Sequence, residues 1–152
     1  MTVNEIKQAL YDECFDKVNN RYQKIKQTIT DLDESLAEEA KSGGDDEYDN
    51  SRSMMQIDRE NAKKQLHEVM LLQEILKKME LKSTSDYVRL GSLVLTNQAT
   101  YFLSLSIGNV VVDGQSYLCV ALNSPIGEAL KGKHLGESID FNNQHITIQE
   151  IL

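Results

Sequence analysis

The sequence predicts an α+β protein with an N-terminal antiparallel coiled-coil hairpin and a small, mostly antiparallel β domain that carries one short helix. Two observations predict the hairpin: a heptad seam of apolar residues, and a second helical pattern that returns after an acidic loop. The third observation is a change to short runs rich in Val, Ile, Leu and Tyr after residue 86. We therefore divide the chain into a hairpin (1–80), a linker (81–85) and a β domain (86–152).

The first helix carries its apolar residues on one continuous seam. Successive members lie alternately four and three residues apart, which is the spacing that lets two helices pack along their length. The seam consists of Tyr11, Phe15, Val18, Tyr22, Ile25, Ile29, Leu32 and Leu36.

The second helix supplies the partner for this seam. Its apolar positions are Met55, Ala62, Leu66, Val69, Leu72, Leu76 and Met79. Positions equidistant from the loop are paired as Leu36 with Met55, Ile29 with Ala62, Ile25 with Leu66, Tyr22 with Val69, and Phe15 with Leu76. Because a helix rises about 1.5 Å per residue, such an arm should reach on the order of 50 Å and end in an acidic tip.

The tip between the helices is the most acidic part of the chain. Gly43 and Gly44 give the backbone freedom for a tight reversal, and either Asp45 or Asp46 can cap the second helix. Acidic residues at a helix N-terminus also interact favourably with the helix dipole. A purely structural capping role therefore stands beside any functional role for these carboxylates.

The second half of the chain predicts six strands and one helix. The strands are Tyr87 to Leu95, Thr100 to Ser106, Asn109 to Val112, Ser116 to Leu122, Ser138 to Phe141 and His145 to Ile151. Turns are expected at Asp113-Gly114 and Asn142-Asn143. For the helix, Ser124 is the N-cap, Pro125 takes the first helical position and Gly132 follows its end.

The composition of the chain limits the kinds of partner it can bind and indicates the cellular compartment in which it acts. A net charge of −8 and a pI near 4.9 argue against independent binding to nucleic acid or to an anionic membrane. We found no signal-like N-terminus and no membrane-length apolar run, so the sequence favours a cytoplasmic protein. Cys14 and Cys119 fall in different predicted units and have no metal-ligand spacing, so we expect two reduced, structural thiols. The three histidines have no metal-ligand spacing either.

One segment of the β domain resembles a known family. Asn123-Ser124-Pro125-Ile126-Gly127-Glu128-Ala129-Leu130-Lys131-Gly132-Lys133-His134-Leu135-Gly136 is similar to the S-P-I/L-G/A-x-A-L-x-G-K-x-x-G-D signature of the bacterial transcript cleavage factors GreA and GreB. Leu90-Gly91-Ser92 is similar to the F/L-G-S of that family. The resemblance implies a coiled-coil hairpin followed by an FKBP-like domain, the same layout that the periodicity predicts.

The resemblance also implies roles for the tip. Gre factors carry a G-D-x-x-E-N motif there, and this chain has Asp46-Glu47-Tyr48-Asp49-Asn50, with Asp45 in place of the glycine, so whether Asp45 substitutes for Asp46 stays open. By resemblance, Asp46 and Asp49 help RNA polymerase hold a catalytic Mg²⁺ at the 3′ end of backtracked RNA. The chain itself would have no cofactor of its own and no enzymatic activity.

The remaining partner-binding residues follow from the same resemblance. The arm would enter the secondary channel of the polymerase, where the residues around the tip pair would contact it, and the β domain would provide a second attachment. These residues are Asp45, Glu47, Tyr48, Asn50, Ser124, Pro125, Ile126, Lys131 and Lys133. Solvated lysines at 131 and 133, and a Tyr48 that packs across the turn, stand beside this reading.

Alternatives remain for the function. The tip departs from the family motif in three ways: the Gly before the first acid is replaced, Asp49 stands where the family has Glu, and Ser51-Arg52-Ser53 replaces A-E-Y. A second function therefore stays open, that of a Gre-fold regulator that inhibits the polymerase without stimulating cleavage. An FKBP-like isomerase needs an aromatic-lined pocket, for which 6% aromatic residues and no Trp supply few candidates. A prefoldin-like holdase would expose apolar tips, whereas these tips are charged.

Overall fold

A computed structural model describes the backbone of residues 1–42 and 46–152, and the side chains of 1–40 and 50–152. Two long helices, α1 (Val3–Ser42) and α2 (Asp46–Lys78), precede six strands and a short helix. These are β1 (Leu93–Thr96), β2 (Thr100–Ser104), β3 (Gly108–Val112), β4 (Gln115–Ala121), α3 (Pro125–Leu130), β5 (Ser138–Phe141) and β6 (Gln144–Ile151). The predicted fold class, a helical hairpin followed by a mostly antiparallel sheet with one short helix, is confirmed.

The chain forms two compact units. Val18–Glu74 make up the hairpin unit, and Met1–Lys17 together with Ile75–Leu152 make up the sheet unit. The sheet unit therefore contains the first turns of α1 and the last turn of α2 in addition to all six strands. The sequence-based division at residues 80 and 85 stays a prediction.

The hairpin unit has the antiparallel register that the apolar seam predicts. Ion pairs between described side chains join its helices: Arg21 Nη2 lies 3.3 Å from Glu68 Oε2, and Arg59 Nε contacts Asp33 Oδ1. Each pair joins residues nearly equidistant from the acidic loop, as the predicted pairing requires. The buried apolar residues between the helices are Val18, Ile25, Ala62 and Val69.

The sheet unit contains a single six-stranded sheet in the order β3-β4-β2-β1-β6-β5. Strands β2 and β4 are parallel and every other neighbouring pair is antiparallel. Both predicted hairpin turns are present, with positive φ at Asp113 (52°), Gly114 (77°), Asn142 (50°) and Asn143 (62°). Asp, Asn and Gly tolerate this left-handed backbone best, which explains why the chain reverses at these points.

Each face of this sheet is covered by different residues. On one face, the core consists of Val88, Val94, Tyr101, Leu103, Val120, Leu130 and Ile148, with Ile126 of α3 packed against it. Side chains alternate along a strand, so Phe102, Ser104 and Cys119 point to the other face. The first turns of α1 cover that second face, where the Cys14 thiol lies 3.6 Å from Ser104 Oγ.

Two local expectations are wrong. The first strand was expected from Tyr87, but β1 begins at Leu93 because Gly91 has φ 89° and the Ser92 N–H bonds to Arg89 O, which makes a turn. Phe15 was expected in the buried seam, yet it is 49% exposed. At the start of α1 the buried face is formed by Lys7, Leu10 and Cys14 instead, because this part of the helix packs on the sheet.

Candidate functional site

On either side of the acidic tip the backbone is described as far as Ser42 and again from Asp46. Helix α1 ends at Ser42 and α2 begins at Asp46, so Asp46 and Asp49 occupy the start of one helix, three positions apart. Asp45 lies outside the described residues, and so do the side chains of Asp46, Glu47, Tyr48 and Asp49. The tip pair and its Mg²⁺ role therefore stay predictions. Asn50 belongs to the same helix and is exposed.

The signature segment begins with a well-made helix cap. Ser124 has extended backbone angles (φ −73°, ψ 162°), and its Oγ accepts the Gly127 N–H at 3.1 Å. The same hydroxyl donates to Ala121 O at 2.6 Å, which ties the cap to the end of β4. Pro125 follows at the first helical turn, where its missing N–H breaks no helical bond. The predicted cap is confirmed.

Gly127 is required by a close approach of backbone to backbone. A Cβ added at this position would lie 2.0 Å from Ala121 O and 2.7 Å from Leu122 O. Both atoms belong to the main chain that links β4 to α3, so neither can move aside as a flexible side chain would. The glycine of the signature therefore lets α3 pack directly against the end of β4.

The end of α3 is fixed to the segment that precedes β1. The Lys131 N–H bonds to Gly127 O at 2.8 Å, and Gly132, at φ 77°, bonds through its N–H to Val88 O at 2.9 Å. The Val88 N–H in turn bonds to Lys133 O at 2.9 Å. Leu130 is fully buried in the core. These contacts hold the signature segment in one conformation.

The signature residues thus form two groups: residues that hold α3 in position, and residues that are exposed to solvent. Ser124, Gly127, Leu130 and Gly132 form the first group. Pro125, Glu128 and Lys131 are exposed, whereas Ile126 and Lys133 are half-buried. Within the described part of the chain, the ammonium groups of Lys131 and Lys133 have no ion-pair partner. Of the predicted partner-binding residues in this segment, Pro125 and Lys131 are the most accessible and Ser124 has a clear structural role.

A groove of about 400 Å³ lies on the sheet unit and escaped the sequence analysis. It is lined by Ser85, Asp86, His134, Leu135, Glu150 and Ile151. Leu135 is 64% exposed, and the Tyr87 and His134 rings stand beside it with centroids 6.3 Å apart. No periodic pattern marks these residues, since they come from a turn, a connector and the end of β6.

Two buried polar features also escaped the sequence analysis. Lys7 is 1% exposed, and burial, followed by repulsion from Arg89, lowers the pKa of its ammonium group. Cys14 and Cys119, expected in separate units, are both buried inside the sheet unit, where the hydrogen bond with Cys119 lowers the pKa of Cys14 to about 7. The same bond and burial raise the pKa of Cys119. No local pattern predicts either feature, because both depend on contacts between residues far apart in the chain.

The described residues contain no group of three or more His, Cys, Asp or Glu side chains arranged to hold a metal ion. Two of the three histidines pair with carboxylates: His145 Nδ1 lies 2.9 Å from Asp140 Oδ1, and His134 Nδ1 lies 3.8 Å from Glu137 Oε2. Among the described helices, none is long and apolar enough to cross a membrane.

Fold and site together define a small α+β protein in which a helical hairpin is joined to a sheet that presents a capped, partly exposed helix. No protein-family model matches the chain, and no curated protein sequence matches it. Among solved structures it is similar to one described as the structure of the transcription factor Gfh1. The identity is 17%, with 93% of this chain and 92% of that chain covered and a TM-score of 0.34.

Proposed function

We propose that this chain is a Gre-like regulator that binds RNA polymerase, inserts its hairpin into the secondary channel and stimulates the cleavage of backtracked RNA. The observation that carries the proposal is the presence, in one chain, of two antiparallel helices separated by an acidic sequence and of a domain in which the Gre-like signature forms α3 and its cap. A polymerase-bound protein of this kind would act in the cytoplasm.

The exposed side of α3 supports an attachment role for the β domain. Pro125, Glu128 and Lys131 project from a helix whose cap, close-packed glycine and buried leucine fix its position. A rigid surface loses little conformational entropy when it binds, which favours docking on a protein.

The hairpin supports a delivery role. From residue 18 to the end of α1 the helix rises on the order of 40 Å, enough to carry the tip well away from the residues at its base. Mg²⁺ takes oxygen ligands and keeps several waters, so two carboxylates alone would hold it weakly. The polymerase must therefore complete the site, and the chain by itself should cleave no RNA.

The experiment is RNA cleavage in a backtracked elongation complex assembled with polymerase from the same organism. The wild-type protein should accelerate cleavage, whereas Asp46→Asn and Asp49→Asn should each abolish the stimulation and leave polymerase binding nearly intact. Asp58→Asn is the matched control, since it removes one exposed carboxylate from the same helix outside the tip motif. Because Asn caps a helix about as well as Asp, a purely structural role predicts normal activity in all three variants.

The departures at the tip favour one second candidate, an inhibitor that occupies the channel without promoting cleavage. Asp49 is one methylene shorter than the Glu of the Gre motif, and Ser51, Arg52 and Ser53 differ from the family residues. In the same assay, a wild-type protein that binds the complex and slows its intrinsic cleavage would establish the inhibitor and exclude the stimulator.

The proposal also predicts attachment at two places. The full chain should bind core polymerase more tightly than a chain in which the hairpin has been shortened by equal deletions in α1 and α2. Lys131→Glu in the full chain should weaken binding as well, and Lys82→Glu, an exposed change between α2 and β1, serves as its charge-matched control. Equal affinity of the full-length and shortened proteins would contradict insertion of the hairpin.

A further inference from the structure

The two cysteines of the chain form one buried site between α1 and the sheet. Cys14 and Cys119 are 0% and 1% exposed, respectively. Cys119 in β4 lies beside Phe102 in β2, and Ser104 lies two residues further along β2 on the same face. The Cys14 thiol reaches this face from α1 and lies 3.6 Å from Ser104 Oγ, next to the strand that carries Cys119 on the same face.

The hydrogen bonds around the site favour a thiolate on Cys14. Ser104 donates its hydroxyl hydrogen to Phe102 O at 3.3 Å and accepts from the Cys14 thiol in this arrangement. When Cys14 loses its proton, Ser104 Oγ and the Cys119 S–H both become available as donors to the sulfur. The Cys14 pKa is accordingly about 7, whereas that of Cys119 is raised. Near neutral pH a share of the molecules thus carries a nucleophilic Cys14 thiolate, with the Cys119 thiol on the same face of the sheet.

We propose that Cys14 and Cys119 are a peroxide-sensitive pair that closes into a disulfide and covalently ties the start of α1 to β4. The burial of both sulfurs selects a small oxidant, and hydrogen peroxide is little larger than water. This role is independent of the proposed action on RNA polymerase.

The chemistry balances in two steps. The Cys14 thiolate attacks one oxygen of hydrogen peroxide, the O–O bond breaks, and protonation of the leaving hydroxide yields water and a Cys14 sulfenic acid. Cys119 then loses its proton and attacks the Cys14 sulfur, which expels the sulfenic oxygen as a second water. Overall, two thiols are oxidised to one disulfide and one peroxide is reduced to two waters.

Closing this bond should stabilise the sheet unit. The linked residues lie far apart in the chain, and cross-links that close long loops restrict the unfolded state most. The oxidised protein should consequently unfold at a temperature several degrees higher than the reduced protein. A thiol reductant should reverse the effect.

The test uses the full chain in its folded state. The protein is treated with hydrogen peroxide, the reaction is stopped with catalase, and the chain is unfolded in the presence of N-ethylmaleimide before its intact mass is measured. We expect a monomer that takes up no maleimide and has lost two hydrogens, with both labelling sites restored by dithiothreitol. Two maleimides after treatment, a disulfide-linked dimer, or sulfinic and sulfonic masses would each overturn the proposal.

Single variants assign the two roles. Cys119→Ala should stop at a Cys14 sulfenic acid that dimedone traps, whereas Cys14→Ala should keep an unreactive Cys119 that takes up one maleimide. Far-UV circular dichroism verifies that each variant is folded, and Cys→Ser versions replace any alanine variant that is not. A rapidly oxidised Cys119 in the Cys14 variant, or an oxidised wild type that melts at or below the temperature of the reduced form, would also contradict the proposal.

Discussion

Replacing Gly127 by alanine should destabilise the sheet unit more than any other single-methyl addition that the structure suggests. The new Cβ would lie 2.0 Å from Ala121 O, whereas ordinary contacts begin at 3.4 Å, so α3 has to move by more than 1 Å. Overpacking of this kind costs about 1–3 kcal/mol. The movement also strains the Ser124 cap, whose loss is worth about 1 kcal/mol. We therefore expect a loss of about 2–4 kcal/mol in the free energy of unfolding.

The measurement is urea-induced unfolding followed by circular dichroism, with Glu128→Ala as the control on the same helix. Glu128 is exposed, so its replacement should change the free energy of unfolding by about 0.5 kcal/mol or less. A Gly127→Ala protein as stable as the control would refute the close approach of α3 to β4. Reduced polymerase binding by the Gly127 variant, measured below its unfolding transition, would additionally link the position of α3 to attachment.

The remaining predictions concern buried positions. Ile25→Asp should lower the free energy of unfolding of the hairpin unit by about 3 kcal/mol or more, because Ile25 is only 7% exposed and the new charge would be buried without a partner. Lys26→Asp, on the exposed side of the same helix, should have little effect. Equal melting temperatures for the two variants would contradict the helix pairing. Lys7→Met should raise stability by about 1–3 kcal/mol at neutral pH, as a buried cation is replaced by an apolar chain of similar length. The pKa of Lys7 is lower in the folded protein than in the unfolded chain, so the folded protein carries the full cost of the buried charge only below that lowered pKa. The stability gained by Lys7→Met should therefore be complete below the lowered pKa and shrink as the pH rises towards 10.5. A gain that does not change with pH would exclude ionisation of Lys7 as its cause.

The hairpin and the turns could be predicted from the sequence because their determinants are local. Heptad spacing fixes which side of α1 is apolar, and distance from the acidic loop fixes its partner on α2, so the Arg21–Glu68 pair falls where the pattern places it. Asp113, Gly114, Asn142 and Asn143 adopt positive φ by residue type alone. The Ser124 cap belongs to the same category, since its bonds reach only three residues along the chain.

The missed features depend on contacts between distant parts of the chain. Heptad spacing continues to Phe15, but packing of α1 on the sheet buries Cys14 and Leu10 instead and leaves Phe15 exposed. Similarly, the pairing of Cys14 with Cys119 requires that α1 cover one particular face of the sheet, which neither residue type nor periodicity specifies. The tip pair, Asp46 and Asp49, rests on sequence resemblance and awaits the cleavage assay.

The order in which the two units occur along the chain has a consequence for biosynthesis. The sheet unit is assembled from the first seventeen residues and the last part of the chain, Ile75–Leu152, so its N-terminal piece leaves the ribosome long before its partners exist. Until then, the face of α1 that carries Leu10 has no sheet to cover and is open to chaperones or to other nascent chains. The hairpin unit is one continuous segment, Val18–Glu74, and can fold before the last strands are made, which brings Lys17 and Ile75 together and shortens the search for the rest.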